Sequence, residues 1–446
     1  MKRPVPIRLT PCLVLLVILF GGAPLSADVP VTIVHSFDRD DGMAPNAALV
    51  DGGDGYLYGT TQQGGGGVGV NDPAGTVFRM TTDGSVTTLF TFDFQVTGDE
   101  PYAGVLRLDD GTLFGTTRGS GAFDGNVFQL SSTGDFTNLH GFLGTLVGDD
   151  GGHPDATLAE GGDGNLYGTT TDGGDFNAGT LYRIDTGGGY TLVHSFSGGL
   201  EPAEDGTTPE GALLLGDDGA LYGTTSQLGQ TPPFGAAGTV FRYTPGVAGV
   251  VTLHTFHGTD GSGPNSTLVK GPGGYLYGTT SLGGDHSSGT AFRIREDGSG
   301  FESLHSFDYA EGSPPTGLVP ASDGNFYGTS SSGGASGLGT VFRLRPSGTV
   351  DVLFSFSSLN GGGYSPRPLI QASDGNFYGT TYSGGAPSAR CGGGCGTVFE
   401  IAGSDILVPV PEPEVAPASG AAGVVLALAS ARRRCRDRSK LRPPAL

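Results

Sequence analysis

Carboxylates cluster in a few short segments of this chain, and they are the side chains best suited to chemistry. The groups considered for binding are Asp38, Asp40 and Asp41, then Asp99 and Glu100, and then Asp149 and Asp150. Carboxylate oxygens are the ligands that calcium prefers, and a correctly spaced carboxylate pair can hydrolyse a glycosidic bond. Acidic loops also keep a surface charged and soluble without any ligand. The sequence leaves these three interpretations open.

The best local candidate for a calcium site is the stretch from Asp38 to Gly42, which carries three carboxylates. Calcium is therefore considered as a cofactor, with Asp38, Asp40 and Asp41 as ligands, although the stretch lacks the full spacing of an EF-hand loop. The sequence alone cannot place a carboxylate pair at the separation that glycoside hydrolysis requires. It also contains no nucleophile elbow, HExxH motif or phosphate-binding loop, so no catalytic residue is predicted.

Most histidines share one position of a repeated unit. The five are His35, His140, His194, His254 and His305. In two further units the same position is occupied by Phe90 and Phe354. A position that accepts either histidine or phenylalanine indicates packing rather than a ring of metal ligands.

A sevenfold repeat must position all of these residues. The phrase YGTT, or a close variant, begins at Tyr58, Phe114, Tyr167, Tyr222, Tyr277, Tyr327 and Tyr378. Each copy follows a turn dipeptide, and the spacing of the copies, 50 to 56 residues, leaves room for four short strands, which we label A to D. Four strands in a repeat of this length predict one blade of a propeller. The expected fold is therefore an all-β, seven-bladed β-propeller.

The two ends of the repeat region are complementary. Residues 31–37 read as a D strand that precedes any A strand, and residues 396–402 read as a C strand with no D strand after it. Pairing these segments would join the ends and remove an open sheet edge. We therefore predict that residues 31–37 complete the last blade.

Long, variable B–C loops are the segments where a rigid scaffold of this kind usually carries function. They span residues 62–74, 226–237 and 382–395. Phe234 and Tyr382 lie in these loops, and aromatic side chains there could stack on sugar rings or pack the loops. In the last loop Cys391 and Cys395 are separated by three glycines, which in an exported chain predicts a small disulfide.

The tandem pattern resembles the choice-of-anchor GloVer repeat family, whose units carry a DGxLYGTT core and a GTVF-like strand. All seven units match over roughly residues 31–402. Blade two departs from the pattern at Asn126, and blade six departs at Ser330. The resemblance implies a repeat-built surface protein, and it brings no established activity or catalytic residue.

The N-terminus has the features of an export signal. Residues 1–27 combine a basic start, a short apolar run and small residues, with cleavage expected between Ala27 and Asp28. Residues 28–403 would then form the propeller, residues 404–415 a proline-rich linker, and residues 416–446 a hydrophobic segment with a basic tail. Before processing, this last segment is expected to associate with the membrane.

The C-terminal segment is a candidate sorting signal. Its motif residues are Val410, Pro411, Glu412 and Pro413, and its basic cluster is Arg432, Arg433 and Arg434. This layout resembles the PEP-CTERM signal of Gram-negative bacteria, which implies recognition by exosortase-like machinery, removal of the tail and delivery to the cell surface or matrix. A plain C-terminal anchor is the alternative.

Net charge excludes one class of partner. The formal charge is −21, and the two basic ends contribute +9, which leaves −30 on residues 28–431. Such an acidic body repels nucleic acid, so nucleic-acid binding is not expected. We expect a non-enzymatic binding or structural module for polysaccharide or a surface protein; the alternative is a hydrolase or lyase acting on extracellular glycans.

Overall fold

The computed structural model describes residues 29–407 except 67–73, 95, 120–122, 145–149, 199–204, 228–237, 359–362 and 388–390. No helix within these ranges has the length and apolar character needed to cross a bilayer. The predicted export signal with its cleavage site at Ala27 and Asp28, the C-terminal sorting segment, Asp149 and Phe234 lie outside the described residues.

Seven antiparallel sheets form the blades of a propeller, as the repeats predict. The chain begins with β1 (Thr32–Ser36), and blades 1 and 2 consist of β2 (Val50–Asp51), β3 (Tyr56–Thr61), β4 (Thr76–Thr81), β5 (Val86–Thr91), β6 (Leu106–Arg107), β7 (Leu113–Thr117), β8 (Asn126–Leu130) and β9 (Phe136–Gly141). Blades 3 and 4 consist of β10 (Ala159–Glu160), β11 (Leu166–Thr170), β12 (Thr180–Ile184), β13 (Tyr190–Ser195), β14 (Leu214–Leu215), β15 (Leu221–Thr225), β16 (Thr239–Tyr243) and β17 (Val251–Thr255).

The remaining blades follow the same order. Blades 5 and 6 consist of β18 (Val269–Gly271), β19 (Tyr275–Thr280), β20 (Thr290–Arg295), β21 (Glu302–Ser306), β22 (Pro315–Pro320), β23 (Phe326–Ser330), β24 (Thr340–Leu344) and β25 (Val350–Ser355), with a 3₁₀ turn at Pro272–Gly274. Blade 7 contains β26 (Tyr364–Pro366), β27 (Ile370–Gln371), β28 (Phe377–Ser383) and β29 (Thr397–Ile401), and a short helix α1 (Gly403–Ile406) follows it.

Blade 7 is completed by the first strand of the chain. Strand β1 pairs antiparallel with β29, with Thr32 opposite Glu400 and Ser36 opposite Thr397. This pairing confirms the predicted closure between residues 31–37 and 396–402. Because the ring closes through a strand from the other end of the chain, β29 is paired on both sides and β1 becomes the outermost strand of blade 7, as the D strands are in the other blades.

The core lies between neighbouring blades. At the seam, Phe37, Phe78, Tyr378 and Val398 are buried in one cluster that contains residues from blades 7 and 1. The rings of Phe37 and Phe78 meet edge to face with centroids 5.2 Å apart. Burying a side chain of this size contributes roughly 1.5–3 kcal/mol, so the contact between blades is a main source of stability.

The YGTT phrase forms strand B and connects each blade to its surroundings. In blade 3, the Tyr167 hydroxyl donates to Asp163 at 2.8 Å, and Thr169 donates to the carbonyl of Pro209 in blade 4 at 3.3 Å. The second threonine, Thr170, bonds Thr180 of strand C at 2.7 Å. The repeated phrase therefore belongs to the scaffold.

Candidate functional site: a polar ring at the start of the A strands

Each blade begins with a proline that packs against a glycine of the preceding blade. The prolines are Pro45, Pro101, Pro154, Pro209, Pro264, Pro315 and Pro366. A Cβ atom on Gly125 would lie 2.4 Å from Cδ of Pro154, and one on Gly396 would lie 2.6 Å from Cδ of Pro45. Only glycine permits this approach, so the contact fixes the start of each A strand against its neighbour.

The residue before this proline holds an uncommon backbone conformation in most blades. Positive φ values of 49–58° occur there at Ala44, Glu100, His153, Thr208 and Ser365. Such backbone costs about 1–3 kcal/mol and persists only where its surroundings hold it. At His153 the amide donates to the Asp124 carbonyl and the carbonyl accepts from the Thr171 amide, at 2.6 and 3.1 Å. Each A strand therefore starts from a backbone held on both sides.

The residues immediately after the prolines form what we call the axial ring. They are Asn46, Tyr102, Asp155, Glu210, Asn265, Thr316 and Arg367. Contacts between blades show that they converge: the Asn46 amide donates to the Tyr102 carbonyl at 3.3 Å, and Asn265 is close enough to the Glu210 carboxyl to oppose the rise in its pKa. The ring lies at the end of the A strands that receives the D–A loops.

One side of the ring is acidic. The Asp155 side chain is only 8% exposed, and its Oδ1 lies 3.5 Å from Nε of Arg118 without a hydrogen-bond partner. Burial raises the pKa of Asp155 to about 6, against the opposing effects of Arg118 and His153, and Glu210 raises it further. Burial also raises the pKa of Glu210, opposed by Arg118 and Asn265.

A histidine–carboxylate pair flanks this acidic side. Nδ1 of His153 lies 2.7 Å from Oδ2 of Asp172. The hydrogen bond that the Asp172 carboxylate accepts from His153 raises the pKa of His153 although burial opposes it, and the same bond lowers the pKa of Asp172. His153 in turn affects the charge on Asp155, so the protonation of the three groups is linked.

The opposite side of the ring carries a half-buried arginine. The Arg367 guanidinium lies over the Tyr382 ring, 5.0 Å from its centroid, and Arg118 lies 5.3 Å from the centroid of Tyr102. Burial lowers the pKa of Arg367, and the nearby Tyr102 and Tyr382 oppose that shift. Nε of Arg367 is enclosed without a hydrogen-bond partner.

Arg118 and Tyr382 reach the ring from one position, directly after the YGTT phrase. In blades 3, 4 and 5 this position carries a small hydroxyl side chain that donates to the carbonyl before the proline: Thr171, Ser226 and Ser281. Blades 2 and 7 replace the hydroxyl with Arg118 and Tyr382. Both departures from the repeat bring a large side chain to the ring.

The predicted acidic residues occupy a different place. Asp41 and Asp150 bond His35 and His140 of their own blades, at 2.7 and 3.1 Å. The Asp38 carboxylate accepts the backbone amides of Asp40 and Asp41, which closes the loop on itself.

The remaining predicted residues divide between the loops and the ring. Asp99 is held by backbone bonds to Gly119, and burial raises the pKa of its carboxyl. Glu100 precedes Pro101 at the base of the ring. Tyr382, one of the predicted binding residues, contacts the ring side chain of Arg367. Cys391 and Cys395 form a disulfide with Cα atoms 5.5 Å apart.

The five aligned histidines all make the same pair of contacts. Each ring stands edge to face with the phenylalanine two residues later and bonds an acidic side chain of the D–A loop. The five acidic partners are Asp41, Asp150, Asp205, Asp260 and Glu311. We call these contacts the loop clasps. In the part of the chain that the structure describes, no three histidine, cysteine or acidic side chains are grouped to hold a metal ion.

Sequence reasoning missed Asp155, Glu210, Asn265 and Arg367. One signal in the sequence could have revealed them: the proline that begins each blade is constant, but the residue after it varies. Round the ring that residue is Asn, Tyr, Asp, Glu, Asn, Thr and Arg. A scaffold position surrounded by small residues would not vary in charge in this way. The carboxylates of the loops are more conspicuous in the sequence than this single position of each repeat.

Comparison with solved structures shows the propeller fold. A puromycin-hydrolysing peptidase of Mycobacterium tuberculosis matches with a TM-score of 0.51 at 11% identity, over 84% of this chain and 54% of the other. A putative 6-phosphogluconolactonase of Bacteroides uniformis has a TM-score of 0.44 at 16% identity, over 68% and 83%. A gluconolactonase of Xanthomonas campestris has a TM-score of 0.40 at 14% identity, over 66% and 82%. At these identities the likeness concerns fold alone.

No curated protein matches the chain in sequence. A family model does match: the Gloeobacter/Verrucomicrobia repeat aligns with residues 24–234 and again with residues 209–406. Together the two matches span nearly the whole propeller and the seven YGTT phrases within it. The chain therefore belongs to the Gloeobacter/Verrucomicrobia repeat family.

Proposed function

We propose that the protein is an exported propeller that binds a glycan segment at the axial ring. The observation that carries this proposal is the axial ring itself, in which one repeat position brings amide, carboxyl, hydroxyl and guanidinium side chains together round the start of the A strands. Sugar hydroxyls both donate and accept, which suits a ring of amide, carboxyl and guanidinium groups.

Exposed aromatic side chains on the surrounding loops support the same ligand class. Phe176, Tyr309 and Tyr364 are 51%, 59% and 40% exposed. The first two lie in a B–C and a D–A loop, and Tyr364 begins strand β26, on the face where the A strands begin. Aromatic rings of this kind provide flat apolar surface next to a polar centre, as a sugar ring requires.

A glycan array followed by calorimetry tests the proposal. We expect the wild-type chain to bind at least one extracellular glycan, and Asp155→Asn or Glu210→Gln to weaken that binding roughly 10- to 100-fold, because each removes a charge-assisted hydrogen bond. Asp297→Asn is the matched control, since it makes the same change in an exposed C–D turn on the other face. Equal loss in the control, or no glycan bound by the wild type, would contradict the proposal.

A second candidate function is hydrolysis or elimination of a bound glycan. The observation in its favour is the enclosure of the Asp155 carboxyl, which is only 8% exposed and close enough to Glu210 for their charges to interact; burial raises the pKa of Asp155 to about 6. A carboxyl group of this kind can act as a general acid beside a second carboxylate such as Glu210. Release of new reducing ends from a bound glycan, lost in Asp155→Asn, would support this candidate over simple binding.

We also propose export and C-terminal processing on the basis of the two terminal segments. Exosortase-like machinery is the partner that the PEP-CTERM resemblance implies. Mass spectrometry of the mature protein tests this proposal, with an N-terminus at Asp28 and loss of the basic tail as the expected result. An intact C-terminus in a membrane fraction would favour the plain anchor instead.

A further inference from the structure

The axial ring carries an acidic pair, accompanied by Arg118, on one side and, on the other, Arg367, which has no carboxylate partner among the described residues. Asp155 and Glu210 belong to blades 3 and 4, and Arg367 belongs to blade 7. Counted round seven blades, blade 7 stands three steps from blade 3 and three steps from blade 4. The acidic pair and the arginine therefore face each other across the axis of the propeller.

Arg367 differs in its partners from Arg343, an arginine that is buried in blade 6. Arg343 bonds the Asp351 carboxylate through Nε at 3.1 Å and through its terminal nitrogen at 2.7 Å. Among the described residues, no carboxylate lies within 4.0 Å of the Arg367 guanidinium, which stacks on the ring of Tyr382. A half-buried guanidinium without a carboxylate partner retains its capacity to bind an anion.

The surroundings of Arg367 are fixed before any ligand binds. Its carbonyl accepts the Thr329 hydroxyl of blade 6 at 2.8 Å, and its amide donates to the Thr380 carbonyl of strand B in its own blade at 2.8 Å. Pro366 and Pro368 restrict the backbone on either side. A guanidinium attached to such a segment and stacked on Tyr382 loses little freedom when it bonds a ligand.

We propose that the glycan bound at the axial ring is an acidic sugar, whose anionic group pairs with Arg367 while its hydroxyls reach Asp155 and Glu210. This inference rests on the proposed function and names its ligand class. The anion is a carboxylate, as in a uronic acid, or a sulfate ester, since both present oxygens that match the guanidinium fork. A neutral sugar would leave the arginine unpaired.

The acidic surface does not prevent this recognition. At physiological ionic strength the screening length is about 8 Å, so a single anionic group beside Arg367 is influenced mainly by its immediate surroundings. Asp41, Asp150 and Asp205 are held in the loop clasps of their own blades. Short acidic oligosaccharides are therefore the suitable probes, because long polyanions would also meet the acidic rim.

The test measures affinity for matched pairs of oligosaccharides at physiological salt. The probes are short oligomers of galacturonate, mannuronate and hyaluronan, each beside its carboxyl-reduced neutral counterpart, and a sulfated galactan oligomer. We expect at least one acidic probe to bind 10- to 100-fold more tightly than its neutral counterpart, the range that one charge-assisted bond supplies. Arg367→Gln should remove that difference, and Arg367→Lys should retain part of it.

Arg295→Gln provides the matched control. Arg295 stacks on Tyr275 at 4.6 Å from the ring centroid, much as Arg367 stacks on Tyr382, but it is exposed at the far end of strand C. We expect this variant to keep the full preference for the acidic probe. An unchanged melting temperature in Arg367→Lys would show that the fold of the site is intact.

Two outcomes would overturn the inference and leave the proposed function standing: neutral counterparts that bind as tightly as acidic probes, or a preference that survives in Arg367→Gln. Absence of binding by every oligosaccharide, acidic or neutral, would overturn the proposed function together with the inference. Preference for the sulfated probe over the uronates would support the inference and identify the anion as a sulfate ester.

Discussion

Strand B of blade 3 and the axial ring come from the same repeat, but their polar atoms differ in one respect. In blade 3 the strand B side chains Tyr167, Thr169 and Thr170 all bond partners inside the protein. In the ring, buried polar atoms of Asn46, Asp155 and Arg367 have no hydrogen-bond partner. Missing partners alone do not mark a site, because Thr116, Thr117 and Thr224 of other B strands also lack them. The ring differs further in that its side chains change in charge from blade to blade, and this variation shows where to look for function in this repeat protein.

The largest effect is expected where the scaffold is most crowded. Gly396→Ala places a Cβ 2.5 Å from the Thr381 carbonyl oxygen and 2.6 Å from Cδ of Pro45, at a φ of +103°. Positive φ and overpacking together should lower the free energy of unfolding by about 2–5 kcal/mol, measured by denaturant titration.

Gly375→Ala is the control for this change. Gly375 also has a positive φ, +85°, but a Cβ there would meet nothing within 4 Å. It should cost only the backbone penalty of about 1–2 kcal/mol. Equal losses in the two variants would show that the contact between glycine and proline contributes nothing to closure of the ring.

A second substitution tests whether the ring, unlike the scaffold, makes the free energy of unfolding depend on pH. The pKa of Asp155 is raised from 3.8 to about 6, so the folded protein binds a proton that the unfolded chain has lost. Stability should therefore fall as pH rises from about 4 to 6, and the full penalty of about 3 kcal/mol should be present above pH 6. Asp155→Asn should remove this penalty.

The measurement is the free energy of unfolding of wild type and variant at pH 4 and pH 8. We expect the two proteins to be alike at pH 4 and the variant to be the more stable at pH 8. At the same time it should bind glycan less well. A variant whose advantage does not grow with pH would show that Asp155 carries no such cost.

The smallest effect is expected within strand B. Thr380 of blade 7 donates to the Ala47 carbonyl of blade 1 at 3.2 Å, whereas Oγ1 of Thr224 at the same place in blade 4 has no partner. Thr380→Val should lower the free energy of unfolding by about 1–2 kcal/mol, and Thr224→Val should change it little or raise it slightly. Thermal unfolding of the two variants side by side measures the difference; a reversed order would contradict this account of the seam.

The fold could be read from the sequence because its causes are local and repeated. The same local preferences recur seven times, in the Asp-Gly or Gly-Gly turns, the YGTT strands and the GTVF-like strands. The unmatched strands at residues 31–37 and 396–402 indicate closure. The histidine position was identified as structural for a similar reason. Its acidic partners, such as Asp41 and Asp150, were grouped with possible ligands because their pairing depends on loop conformation.

The axial ring could not be read in the same way. Asp155, Glu210 and Arg367 are separated by 55 to 212 residues along the chain, and only closure of the ring brings their blades together. The burial of these side chains and the partners available to them depend on the assembled axial ring. Tyr382 could be named as a binding candidate because it lies in a variable loop, and the structure places its ring against Arg367.

The closing strand has a consequence for how the protein is made. Thr32 leaves the ribosome early, but its partner Glu400 follows about 370 residues later. At synthesis rates of about 5–20 residues per second, β1 waits roughly 20 to 70 seconds for β29. During that time six blades can form in order while the seventh lacks its outermost strand. The exposed segment must therefore avoid pairing with another copy until the last blade arrives, which makes the interval before closure the most aggregation-sensitive stage of its biogenesis.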